Sequence, residues 1–314
     1  MAAVNSTDLS GLSPIPVAVV GFGRMGRRHV ETLMRLPEFA VVAVIDTDPR
    51  QAAAANALGL HFSARLADIF DLARAAVIAA PTEDHAQIFE QLSQRGIDCL
   101  IEKPIGVSLE QLDRMSADAN ARGTRIFAGY CERFHPAVSA LRARLNQRPC
   151  RLDIRRTSPE ALQRRFDIDV MLDLLVHDLD WLYSILDEEP IEAILESASA
   201  PSHQLEEVTC RLRFGNSLQV HLTASRIAAT RQRAVTVTRA DGGLEDFSFD
   251  AAPIIANDDN LTAQARAFAA ALHGQSSRIA GIDDARRVMS LVQRLQDSLP
   301  ADDRRPPLSV AHGV

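Results

Sequence analysis

The chain lacks any long apolar run. None of its hydrophobic stretches reaches the roughly 20 residues that a helix needs to cross a bilayer, although hydrophobic residues fill 46% of the 314 positions. Residues 1–14 are polar and have no apolar core of the kind a secretory leader carries, so a loose tail is expected there. Cysteine is scarce. Cys99, Cys131, Cys150 and Cys210 lie far apart, without C-x-x-C spacing or a zinc-ligand pattern. Buried thiols in a reducing cytoplasm are expected, with no metal centre. Basic charge is not in excess: 34 Lys plus Arg against 41 Asp plus Glu leave a net charge of -7. That balance argues against nucleic acid or a membrane surface as partner. There is no internal repeat. The length suffices for two domains, each with its own core.

What is present begins at Val17-Ala18-Val19-Val20, which runs straight into Gly21-Phe22-Gly23-Arg24-Met25-Gly26. A buried strand, a G-x-G-x-x-G turn and a helix N-terminus in that order bind the pyrophosphate of a dinucleotide. Gly21 permits the sharp turn, Gly23 lets the backbone approach the phosphates, and Gly26 lets the helix pack on the strand. The backbone N–H groups of the turn and the positive helix end face the phosphate charge. A second apolar run, Phe39 to Ile45, ends at Asp46, twenty residues after Gly26. A carboxylate there accepts from the ribose hydroxyls of NAD and repels the extra phosphate of NADP. The other reading of Asp46 is a cap on the helix that follows.

Strands are expected at 17–20, 40–45, 76–80, 98–101 and 125–128, alternating with helices at 24–36, 50–58, 66–72, 84–95 and 109–122. This alternation means an α/β fold with a doubly wound parallel sheet, assigned to residues 15–131. After Tyr130 the pattern changes. Helices are expected at 136–145, 171–186, 261–272 and 283–296. Strands are expected at 151–156, 191–199, 208–214, 217–225, 234–239 and 243–249, with a hairpin signal at Gly215-Asn216. Residues 132–314 are therefore expected to form an α+β domain with an open, mostly antiparallel sheet. Such a sheet needs covering, so a homodimer or homotetramer is expected.

Two segments could carry acid–base chemistry. Ile101-Glu102-Lys103-Pro104 directly follows a strand of the first domain, which puts Lys103 on the ligand edge of that sheet. It either donates to a substrate oxygen or is a solvated surface lysine. In Val170-Met171-Leu172-Asp173-Leu174-Leu175-Val176-His177 the carboxylate and imidazole are four apart, on one helical face among apolar neighbours. They form either a tuned base or a structural pair. Tyr130-Cys131-Glu132-Arg133-Phe134-His135 lies at the domain junction, where polar groups often meet ligands. Glu132 and Arg133 are equally readable as an ordinary ion pair.

Taken in order, G-F-G-R-M-G at 21–26, P-T-E-D-H at 81–85, E-K-P at 102–104 and D-L-L-V-H at 173–177 form a recognisable set. The chain resembles the glucose-fructose oxidoreductase / inositol dehydrogenase / rhizopine-catabolism family of NAD(P)-dependent oxidoreductases over nearly its whole length. The resemblance implies Lys103, Asp173 and His177 as the catalytic set. It also implies Ala80, Pro81 and His85 on the nicotinamide side, with Glu102 and Lys103 among the cofactor contacts. The run G-Y-C-E-R-F-H-P-A-V at 129–138 and the run D-I-D-V-M-L-D-L-L-V-H-D-L-D at 167–180 further resemble segments of UDP-N-acetylglucosamine 3-dehydrogenases. Those enzymes oxidise the sugar 3-hydroxyl ahead of amination for lipid A-type acylation. Tyr130 stands where they carry His, and His135 where they carry Asn.

That resemblance implies a nucleotide-sugar substrate held by Glu132, Arg133, His135 and His177. Arg156 and Arg165, with Arg164, are further candidates for the diphosphate, because a guanidinium binds phosphate bidentately. Either His177 or Lys103 is the base. Inositol, a free sugar or a UDP-sugar uronate are alternative substrates. A non-catalytic NAD-binding sensor is the alternative of another class. A methyltransferase reading of the glycine loop leaves Lys103 and His177 without use.

Overall fold

The computed structural model describes residues 13–145, 150–159, 168–201, 204–215, 217–250 and 259–299. Arg164, Arg165, Asn216 and nearly all of the expected N-terminal tail lie outside the described residues. The chain divides into two units. One comprises residues up to Gly129 together with Leu261–Asp283; the other comprises Tyr130–Asn260 and the residues from Asp284 onward.

The first unit is built on strands β1 (Ile15–Val20), β2 (Phe39–Ile45), β3 (Phe62–Ser63), β4 (Ala75–Ile78), β5 (Asp98–Ile101) and β6 (Ile126–Ala128). Between them run helices α1 (Arg24–Met34), α2 (Ala52–Ala57), α3 (His85–Ser93) and α4 (Leu109–Arg122). The strands pair in the order β3-β2-β1-β4-β5-β6, all parallel. β1 and β4 are buried on both faces, which is why they read as unbroken apolar runs. The order reverses between β1 and β4, and that switch point opens a crevice at the carboxyl ends of the strands. Helix α4 starts where the Ser108 hydroxyl accepts from Gln111 N and stops at Gly123, held at φ 68°.

The second unit contains α5 (Pro136–Leu145), β7 (Arg151–Thr157), α6 (Val176–Leu186), β8 (Glu192–Ser199), β9 (Glu207–Arg213), β10 (Gln219–Ser225), β11 (Gln232–Thr238) and β12 (Leu244–Ser248). Its sheet runs β12-β11-β7-β10-β9-β8, antiparallel at every pairing except β7 with β10. Leu152 and Ile154, Val208, Cys210 and Leu212, Val220 and Leu222 are buried, while the residues that alternate with them are partly or fully exposed. That period-2 pattern is what fixes the register.

Helix α7 (Asn260–Leu272) and the two-residue strand β13 (Ala280–Gly281) follow, before α8 (Ile282–Asp297). β13 pairs antiparallel with β6. Phe268 of α7 stacks on Phe39 and meets Phe127 edge-on, at 6.0 and 5.3 Å between ring centroids. Residues 261–283 therefore complete the first core, which corrects the expected division at 131/132. Other differences are local. The helix expected at 66–72 is a 3-10 turn at Leu66–Ile69, and the helix expected at 50–58 opens with a 3-10 turn at Pro49–Gln51. β4 ends at Ile78, because Ala79 and Ala80 abut the glycine turn. No helix among the described residues is long and apolar enough to cross a membrane.

Candidate functional site

The three glycines do three jobs. Gly21 sits at φ 90°, and a Cβ on it would stand 2.6 Å from the Ala79 carbonyl. A Cβ on Gly26 would stand 1.9 Å from the Gly21 oxygen. Gly23 has nothing within 4 Å of a Cβ and opens α1 without a side-chain cap. The turn thus leaves room for a phosphate at Gly23, with exposed Arg24 and half-buried Met25 beside it. Phe22 is buried and gives its backbone N–H to Asp46 Oδ2 at 2.6 Å. Asp46 Oδ1 accepts from Asp48 N at 2.8 Å. Asp48, not Asp46, caps the following turn. It also pairs with Arg50 at 2.8 Å, so the nearest cation after β2 is already neutralised. Asp46 keeps a partly exposed carboxylate whose remaining lone pairs suit two ribose hydroxyls. These residues fit NAD, and a 2′-phosphate would meet negative charge.

The next two strand ends bring Ala80, Pro81, His85, Glu102 and Lys103 to the same edge. His85 is buried, with Nε2 2.9 Å from Ala80 O and Nδ1 3.1 Å from Pro104 O and 3.3 Å from Ile105 O. Burial pushes its pKa down, against the pull of those carbonyls. It ties the turn after β4 to the turn after β5. Glu102 is buried as well, and its carboxylate meets His29 and the Lys103 backbone N–H. Both side chains were expected to be cofactor contacts. Their placement also makes them supports of the Lys103 turn. Lys103 itself is half-buried between buried neighbours. Of the 34 Lys plus Arg residues, 33 are arginine, so Lys103 is the chain's one lysine. That count was a signal in the sequence that motif reasoning passed over.

In the second unit the expected plain helix at 171–186 begins with a π-helical turn at Met171–Leu175. Such turns widen the hydrogen-bond ladder by one residue and recur at functional sites. Asp169 holds the start of it, accepting from Met171 N and Leu172 N. From Asp169 to Tyr183 every residue is buried except His177, which is half-buried. Asp173, four residues before it, has Oδ2 3.7 Å from Arg226 Nη1. Arg226 is 2% exposed and also donates to Glu206 at 2.6 Å. A buried arginine between two carboxylates is a feature sequence reasoning missed, since Arg226, just after β10, lies far from the Asp173 segment in the chain.

The two described arginines expected at a diphosphate are placed differently. Arg133 is buried and donates to Asp180, through Nε at 3.1 Å. Burial pushes the Asp180 carboxyl up to about 6, although Arg133 pulls it down. Arg156 is buried and binds Asp178 with both Nε and Nη2, at 2.7 and 2.8 Å. Trp181 Nε1 donates to the same Asp178. Glu132 accepts from Arg233 at 2.8 Å. The His135 ring stacks on Phe249 at 4.7 Å and its Nδ1 accepts from Ala137 N. Arg133, Arg156, Glu132 and His135, expected as sugar or diphosphate ligands, thus each have a partner inside this unit and help to organise its interior. A buried pair of this kind has lost its water and is held by its partner.

Residues 15–130 match the Gfo/Idh/MocA family model, described as an oxidoreductase family with an NAD-binding Rossmann fold. The UDP-N-acetylglucosamine 3-dehydrogenase of Acidithiobacillus ferrooxidans is 29% identical over 223 residues, 70% of this chain and 69% of that protein. The myo-inositol dehydrogenase Hyg17 of Streptomyces leeuwenhoekii is 28% identical over 204 residues, 61% of this chain and 62% of that protein. A solved structure of the Acidithiobacillus enzyme superposes with a TM-score of 0.79 at 24% identity, over 93% of this chain and all of that one.

Proposed function

We propose that the protein is an NAD-dependent dehydrogenase of a sugar or polyol hydroxyl, starting from the match of residues 15–130 to the Gfo/Idh/MocA oxidoreductase family model with its NAD-binding Rossmann fold. The observation that carries the reading is the position of Lys103. The chain's one lysine stands at the carboxyl end of β5, on the edge that also holds the glycine turn and Asp46. When bound, NAD supplies the hydride acceptor. Lys103 donates to the substrate hydroxyl oxygen and stabilises the charge that develops there. His177 takes the hydroxyl proton, and Asp173 favours the imidazolium that results. Glycine backbone N–H groups hold the pyrophosphate, and Asp46 holds the adenosine ribose. The free thiols of all four cysteines fit a reducing cytoplasm.

For the substrate, we propose the 3-hydroxyl of UDP-N-acetylglucosamine, in a route to 3-amino sugars. Support comes from the 29% identical relative that bears that activity in its name. Myo-inositol is the second reading, favoured by the 28% identical Hyg17 protein. Arg133 and Arg156 are bound to aspartates, and what binds a diphosphate is the point at which the two readings part. Purified protein with NAD is mixed in turn with UDP-N-acetylglucosamine, its uronate and myo-inositol, in the presence of a carbonyl trap. Reduced nicotinamide absorbance is expected with the first. Absorbance with myo-inositol alone would move the assignment to a polyol. Tight NAD binding with no turnover of any of the three would discard all three substrates and favour a sensor; silence with a wider panel of free sugars and polyols would sink the dehydrogenase reading.

A further inference from the structure

His29 lies on the inner face of α1, 2% exposed, one turn beyond the glycines. Its Nε2 is 2.7 Å from Glu102 Oε1. The other carboxylate oxygen, Oε2, accepts from the backbone N–H of Lys103 at 3.2 Å. Burial alone raises the Glu102 pKa. The bond from His29 and the charge of Lys103 outweigh it and bring the group below its ordinary value. Glu102 is thus an ionised acceptor, and His29 is the donor. Gly129 makes room for this carboxylate: a Cβ there would stand 2.8 Å from Glu102 Cα and 3.1 Å from its Cδ. On the far side of Lys103, the His85 ring faces the carbonyls of Pro104 and Ile105.

We infer that His29 is a positioning residue for Lys103, acting through the Glu102 carboxylate; the inference rests on the reading of Lys103 as the group that meets substrate. The physical case is that the buried carboxylate has one oxygen for each task. Without the His29 donor, Oε1 is a desolvated charge with a missing bond, which costs more than a neutral one. The carboxylate then turns toward water or takes up a proton, and Oε2 leaves the Lys103 N–H. The backbone that carries the Lys103 side chain then loses a support. Helix α1 does not need this polar pair to pack. Val30 and Leu33 of the same helix already fill the core, and an apolar side chain would serve a buried site at least as well. The pair therefore contributes geometry. Because α1 also begins at the glycine turn, one helix sets both the pyrophosphate end and the lysine of the proposed site.

The test compares His29→Gln with His29→Asn. Glutamine carries its amide nitrogen to the place of Nε2, whereas asparagine stops one bond short. Lys103 is the chain's one lysine, so acetylation by an N-hydroxysuccinimide ester, read by mass spectrometry, reports on that amine and the α-amine alone. With His29→Asn the Lys103 acetylation rate is expected to change by at least about threefold. The kcat should fall by on the order of tenfold or more, because small misplacements of a reacting group are costly. The KM for NAD should stay within about threefold, since only a positioned group has moved. With His29→Gln both quantities should return to within about twofold of the unsubstituted chain. If the two variants behave alike, whether both intact or both impaired, positioning through the Nε2 bond is overturned. If the unsubstituted protein turns over no sugar or polyol, the proposed function falls, yet the acetylation rates still decide the role of His29.

Discussion

At Gly23 a methyl group would enter open space, whereas at Gly26 it would stand 1.9 Å from a backbone oxygen. Gly23 also has φ -69°, which alanine adopts readily. Gly23→Ala is therefore expected to fold with its stability unchanged or raised by up to about 1 kcal/mol, while NAD affinity drops because the methyl occupies the phosphate space. Gly26→Ala should lose stability outright, by roughly 1–3 kcal/mol or more, as overpacked sites do. Thermal unfolding and fluorescence titration with NAD separate the two outcomes. Equal NAD affinity for Gly23→Ala and the parent would remove the phosphate assignment. The glycine turn and Asp46 were legible because their chemistry is local and their spacing is fixed. The pairing of Arg133 and Arg156 was not, since each aspartate partner lies 47 or 22 residues away. Nothing in an arginine's neighbours tells whether it meets a phosphate or a carboxylate.

Helix α6 was readable from its apolar run, and the π turn before it was not. A widened turn depends on which carbonyl each N–H finds, and the apolar pattern of Met171–Leu175 suits either ladder. The two-residue strands β3 and β13 left no periodic trace at all. On α6 itself, Asp178 anchors Arg156 and the Trp181 indole. Asp178→Ala would take both hydrogen bonds from a buried guanidinium and leave it only Glu132, at 3.7 Å, and is expected to cost about 3 kcal/mol. A thermal-unfolding midpoint within error of the parent would show that the pair is not a support of this unit.

The parallel order of the first sheet was legible as a whole because strands and helices alternate, and alternation leaves few arrangements. The ownership of α7 was not legible. Its alanine-rich pattern announces a helix, but a helix that buries alanines says little about which sheet it covers. Phe268 decides it, by lying between Phe39 and Phe127. A buried phenylalanine is worth about 1.5–3 kcal/mol, and α7 adds Ala265, Ala269 and Leu272 to the same core. A chain ended at Tyr130 is therefore expected to lose its cooperative thermal transition and bind a hydrophobic dye. A sharp transition from that fragment would mean that α7 only decorates the first unit.

The interleaving of the two units also has a consequence in time. Residues 130–260 of the second unit are made before residues 261–283 of the first. At roughly 5–20 residues per second, a ribosome needs on the order of ten seconds to cross that stretch. For that interval the nascent nucleotide half waits with Phe39 and Phe127 uncovered, a natural client for whatever shields apolar surface near the exit tunnel. Protease sensitivity of chains stalled before and after residue 283 would show the moment at which it closes.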